Sequence, residues 1–133
     1  MRESKCGFEW KPGDTFLADL GFGKHLHVVL SHPFDVERLI VATMISTYDE
    51  DYKNATCLLR PADGHPFIKH FSYVAYHTAQ ALREKDLEKL PIRRMPSFSE
   101  DVRHRILKGA DANNSDFPMK FWLVLDDQGL IPD

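Results

Sequence analysis

The chain is poor in cysteine. Its 133 residues hold two, Cys6 and Cys57, far apart and without a Cys-x-x-Cys spacing. That leaves a redox or nucleophilic thiol role without support, and the expectation is two ordinary thiols in a reducing compartment. An excess of basic residues is also missing. Seventeen Lys and Arg against 20 Asp and Glu give a net charge of −3, which excludes a surface built throughout for nucleic acid, so any RNA site must be a local patch. No apolar run approaches the roughly 20 residues that span a bilayer. Met1 to Cys6 lead into no apolar signal core. These absences predict a soluble, cytoplasmic protein with no membrane partner. Internal repeats and low-complexity tracts are absent as well.

What is present suits a globular protein. Hydrophobic residues make up 43% and charged residues 28%, so disorder is not the expectation. The length fits one domain that needs neither disulfide nor metal to form a core. We divide it into a barrel over about residues 11–80 and a helical and C-terminal segment over about 81–133.

Pro12-Gly13-Asp14 is a turn signal, and Thr15 to Leu20 reads as a strand. After Gly21-Phe22-Gly23-Lys24, the stretch His25 to Ser31 alternates. A period of two puts Leu26, Val28 and Leu30 on one face and His25 and His27 on the other. Arg38 to Ser46 is a nearly continuous apolar run, as expected of a strand buried on both faces. Tyr48 to Asn54 is a polar, acidic loop. Thr56 to Arg60 reads as a fourth strand, closed by Pro61-Ala62-Asp63-Gly64. Pro66 to His70 and Tyr73 to Gln80 read as two short strands or one broken one. Many short strands with frequent turns indicate a barrel or sandwich. The expected core includes Leu26, Val28, Leu30, Ile40, Val41 and Leu58.

Leu82 to Leu90 reads as a short helix. Ser97 and Glu100 have capping-box spacing. Phe98, Val102 and Ile106 then form one apolar stripe, which predicts a helix over 98–108 with Gly109 as its C-terminal cap. Phe121 to Leu125 reads as a last strand.

The order of these elements resembles the PemK/MazF toxin family. The resemblance runs from about Lys11 to Leu107. It is carried by Gly13-Asp14 with the strand Thr15 to Leu20, by Val28 to Ser31, by Ile40 to Thr47 with its closing hydroxyl pair, by Ser72-Tyr73-Val74, and by a helix after the barrel. It implies a mostly β fold with added α structure: a small antiparallel SH3-like barrel plus a C-terminal helix. It also implies a metal-independent endoribonuclease acting on single-stranded RNA, usually a homodimer, held inactive by a cognate antitoxin. Where the family's second strand begins with a phosphate-contacting arginine, this chain has His25. Ala75 and His77 stand nearest the positions of a further arginine and acid. Ser46 and Thr47 keep the hydroxyl pair.

Cleaving RNA through its own 2′-hydroxyl needs a base, an acid and a cation for the charged phosphorane. Histidine supplies the first two near neutral pH and lysine or arginine the third. Six of seven histidines (25, 27, 32, 65, 70 and 77) fall in the barrel region. We take His25, His70 and His77, with Ser46 and Thr47, as candidate catalytic residues, and Lys24, His27, Arg60 and Lys69 as candidate RNA contacts. No metal or other cofactor is expected. His25-x-His27 leaves a metal-dependent site as an alternative, and the altered arginine position leaves a non-catalytic SH3-like module for protein or nucleic acid as another. Phe67, Phe71, Tyr73 and Tyr76 are either core aromatics or stacking surfaces for bases. Arg93, Arg94, Arg103, Arg105 and Lys108 are either a solvated helix face or a contact for RNA or an acidic partner.

Overall fold

The computed structural model describes residues 9–21, 23–47 and 56–132. Cys6, Phe22 and the 48–54 loop lie outside them. The described chain runs β1 (Thr15–Asp19), β2 (Lys24–Val29), β3 (Leu39–Thr47), β4 (Leu58–Leu59), β5 (Ser72–Arg83), α1 (Glu84–Lys89), β6 (Arg93–Met95), α2 (Glu100–Gly109) and α3 (Met119–Asp127). The strands form one sheet in the order β4-β5-β3-β2-β1-β6. Each neighbouring pair is antiparallel. The fold is therefore the mostly β half-barrel with helices that the strand pattern predicts. Both edge strands are very short, which limits edge-to-edge association.

The β1–β2 hairpin has a local cause. Gly21 and Gly23 both adopt positive φ, at 113° and 86°, which costs glycine little. The Asp19 carboxylate accepts both of their N–H groups, at 2.9 and 3.2 Å. The turn before β1 is built on Asp14, 1% exposed. Its carboxylate accepts from the Lys11 backbone N–H (3.0 Å), the Ser97 hydroxyl (2.6 Å) and the Arg94 guanidinium (2.8 Å). That guanidinium also lies 4.1 Å over the Trp10 ring. One buried carboxylate thus ties the opening turn to β6 and to the approach to α2.

β1, β2 and β3 are buried on both faces because the sheet carries two apolar clusters. The larger joins Leu26, Val28, Leu30, Val41 and Ile45 to Val102, Ile106, Phe121 and Leu125 of α2 and α3. The smaller joins Phe16, Val29, Ile40 and Ala42 to Trp10 and to Leu87 of α1. Of the expected core, Leu58 is the exception. It is 39% exposed while Leu59 is fully buried, so β4 turns its other side inward.

Between β3 and β5 the register breaks. Ala42 faces Gln80 and Met44 faces Ala75, so residues 76–79 stand opposite Thr43 alone. Such bulges bend a sheet. The Thr78 hydroxyl replaces the lost ladder, accepting the Met44 N–H at 3.0 Å and donating to the Ala75 carbonyl at 2.7 Å. The bulge drives Tyr76 inward, where its hydroxyl donates to the Ile106 carbonyl at 2.6 Å and its ring lies against Gly109.

Several local expectations are corrected. Phe121 to Leu125 is helical. It forms the middle of α3, whose buried residues Phe121 and Leu125 are spaced i, i+4; a five-residue apolar window cannot separate that stripe from a strand. Thr56 to Arg60 shrinks to the two residues of β4, and Pro66 to His70 form no strand. Leu82 and Arg83 still belong to β5, and α1 starts at Glu84. The cap of α2 is Ser99, whose side chain accepts the Val102 N–H. Ser97 is instead bound to Asp14. Gly109 ends α2 and Ala110 is its C-cap, because glycine is needed there for the Tyr76 contact. Among the described residues, no helix is long and apolar enough to cross a membrane.

Candidate functional site

The connection from β4 to β5 is held by a buried histidine. His65 is 5% exposed and tilts against Phe98 at 4.9 Å. Its Nδ1 accepts the Phe67 N–H at 3.1 Å. The proton is thereby assigned to Nε2, which donates to Thr15 Oγ1 at 2.9 Å. Thr15 in turn donates to the Pro96 carbonyl at 2.7 Å. Burial lowers the pKa of this ring, keeping it neutral and able to accept at Nδ1. Beyond this anchor Ile68 plugs into the core, while Phe67, Lys69 and His70 face solvent.

The segment forms one wall of a cleft of about 420 Å³. Lys24 and His25, from the start of β2, and Ser46 and Thr47, from the end of β3, form the others. Lys69 and His70 come from the connection, and Leu26, Ile45 and Ile68 make an apolar floor. Strand alternation puts Lys24 and Thr47 on the floor's side, while His25 and Ser46 reach the cleft from alternate positions. Two lysines, two histidines and three hydroxyls, Ser46, Thr47 and Ser72, line it, and no lining residue is acidic. A cleft of that composition concentrates anions and offers proton donors and acceptors beside cations.

Six candidates converge there: Lys24, His25, Ser46, Thr47, Lys69 and His70. Three do not. His27 is 3% exposed and stacks on Phe16 at 5.0 Å. Burial is the main reason its pKa falls from 6.5 to about 4, and its Nδ1 has no hydrogen-bond partner among the described residues. His77 stands exposed in the β5 bulge, away from the cleft. Arg60 opens into a second cleft between β4 and α2. The basic stretch is largely engaged: Arg94 by Asp14, Arg103 by Glu100 and Arg105 by Asp63. Cys57 is buried, and that burial pushes its thiol pKa up. Tyr76 is core, whereas Phe67 and Phe71 are 44% and 53% exposed. Among the described residues no group of three or more His, Cys, Asp or Glu side chains is placed to hold a metal ion. The positioning role of His65 was missed from sequence, because its partners Thr15 and Pro96 lie 50 and 31 residues upstream and downstream.

No protein-family model matches the chain, and no curated protein matches it in sequence. Among solved structures it is similar to a chain in the crystal structure of MazE–MazF (Form-II) from Deinococcus radiodurans. The TM-score is 0.52 at 16% sequence identity, with 76% of this chain and 90% of that chain covered. The likeness is one of fold, and the half-barrel described above is of the MazF type.

Proposed function

We propose that this protein is a toxin-like, metal-independent endoribonuclease that cleaves single-stranded RNA in the cleft between Lys24 and His70. The observation that carries this reading is the convergence of two lysines, two imidazoles and three hydroxyls, without an acid, in one cleft of a MazF-type fold. In the reaction a base takes the 2′-hydroxyl proton and the 2′-oxygen attacks phosphorus. The bond from phosphorus to the 5′-oxygen breaks, and an acid protonates the departing oxygen. His25 and His70 take the base and acid roles, Lys24 and Lys69 hold the phosphorane charge, and Ser46 or Thr47 orients the phosphate. The reading leaves out His77, which stands outside the cleft, and His27, which is buried. A cytoplasmic location, a homodimer and a cognate antitoxin belong to the same reading, by likeness to the MazE–MazF structure.

The test is cleavage of a mixed-sequence single-stranded RNA by wild type, His25→Ala, His70→Ala and His77→Ala, with and without EDTA. The proposal expects wild type and His77→Ala to cut with EDTA present, and the other two to lose on the order of 10²–10⁴ in rate. Equal cutting by all four proteins would remove the histidine mechanism, and loss of cutting in EDTA would favour a metal site. The presence of His25 where the family has arginine favours one second reading, a non-catalytic module that binds RNA or protein. Tight RNA binding without cleavage is its signature.

A further inference from the structure

The second cleft, of about 680 Å³, lies between β4 and α2. Arg60, Arg105 and Lys108 line it together with Phe71 and Leu58, and no lining residue is acidic. The three cations differ. Arg105 is consumed by the fold, since it pairs with Asp63 at 2.8 Å and reaches the Leu58 carbonyl at 3.4 Å, pinning α2 to β4. Asp63 is engaged a second time by the Arg60 backbone N–H, at 2.8 Å. Among the described residues the Arg60 and Lys108 side chains make no ion pair. In a protein of net charge −3, three cations and no acid line this cleft, a local positive lobe.

Its position ties it to the first cleft. His70 and Ser72 line the first cleft while Phe71, between them, lines the second. Pairing of Leu58 with Tyr73 and Leu59 with Ser72 brings β4 against that same junction. The two clefts therefore lie on either side of one short segment, with the rings of Phe67 and Phe71 exposed along it. Exposed aromatic faces alternating with cations are what a flexible single strand needs, because bases stack and phosphates pair with charge. A buried hydrophobic ligand would not use Arg60 and Lys108, and an acidic peptide would not use the rings.

We infer that the β4–α2 cleft is a second subsite for single-stranded RNA, in which Phe71 stacks a base and Arg60 and Lys108 hold phosphates flanking the cleaved one. The inference rests on the RNA reading above and adds a binding track to it. None of the three side chains belongs to the proposed chemistry, and Phe71 and Lys108 are exposed, so their replacement leaves the fold intact.

The experiment uses fluorescent 2′-O-methyl RNAs, which lack a cleavable 2′-hydroxyl, of about 4 and about 12 nucleotides. Binding is measured across a salt series for wild type, Phe71→Ala, Arg60→Gln and Lys108→Gln. The long RNA is expected to bind wild type more tightly than the short one. Phe71→Ala should weaken the long RNA about 5- to 100-fold and barely affect the short one. Each charge variant should lower the salt slope for the long RNA by about 0.7. If all variants keep the full advantage of the long RNA, the subsite is wrong and the RNA reading stands. If neither RNA binds wild type, both fall. If a polyglutamate peptide binds the cleft with the same loss in Phe71→Ala, the surface serves an acidic protein and the inference is overturned.

Discussion

Four histidines of the sheet end divide into two pairs that read alike in sequence and differ in every physical respect. His25 and His70 line an open cleft beside two lysines. His27 and His65 are 3% and 5% exposed, one stacked on Phe16 and the other bridging Phe67 to Thr15. Burial disfavours the imidazolium, so the buried pair serves packing and position as neutral rings. His25, half-buried, and His70, exposed, are the pair to which the proposed chemistry is given. Residue type identified the candidates, and placement separates the buried pair from the pair that lines the cleft.

The comparison is tested most strongly by exchanging the consequences. His70→Ala should cost on the order of 10²–10⁴ in cleavage rate with an unchanged melting temperature, read by RNA gel assay and thermal denaturation. His65→Ala should lower both, because the cleft wall and the Thr15 bridge go together. A fall in stability for His70→Ala equal to that for His65→Ala would erase the distinction.

The next largest effect is on pH. The folded-state pKa of His27 lies near 4 against 6.5 unfolded, and that of His65 is also lowered. The unfolded chain therefore binds more protons between these values, so stability rises with pH there. Their contribution is complete above about pH 6.5 and is lost as pH falls towards 4. We expect a loss of about 2 kcal/mol from His27 alone between pH 7 and 5. Urea melts at the two pH values measure it, and a flat profile would show that the rings are hydrated.

Gly109→Ala follows, at about 1–3 kcal/mol of destabilisation. Helix propensity alone favours alanine by about 1 kcal/mol. An added Cβ, however, would collide with the hydroxyl of Tyr76, a side chain buried to 2% exposure, and the clash wins. Chemical denaturation decides the sign. The smallest change is His27→Leu. It removes a buried Nδ1 that has no partner among the described residues, so neutral-pH stability should move by less than about 1 kcal/mol. Much of the acid loss should disappear. Retention of the full acid loss would move its origin elsewhere.

Much of the fold was legible. Alternation at Leu26, Val28 and Leu30 and the apolar run of β3 gave the central strands, since burial leaves a periodic trace. The stripe of Val102 and Ile106 gave α2. The last strand was misread because Phe121 and Leu125 alone carry the burial of α3, and four residues of spacing suit either structure. Leu58 and Leu59 could not be told apart, since a two-residue strand has no period. Of the cleft, the residue types at Lys24, His25, Ser46 and Thr47 were legible, because they end adjacent strands of a recognisable order. The connection that delivers Lys69 and His70 was not, because the hydrogen bonds that shape it join His65 to residues distant in sequence. The burial of His27 was hidden for a similar reason: the alternation puts it on the face opposite Leu26, and the second apolar cluster covers that face.

The central claim is that the cleft cleaves RNA through its 2′-hydroxyl using His25 and His70. It is tested most directly by mapping the ends produced when wild type cuts one defined single-stranded RNA in EDTA, alongside the same RNA with a single 2′-deoxy sugar at the cut. The account predicts a 2′,3′-cyclic phosphate facing a 5′-hydroxyl, a bell-shaped dependence of rate on pH, and no cut at the deoxy position. Cleavage that persists at the deoxy position, or that leaves a 5′-phosphate, would contradict it.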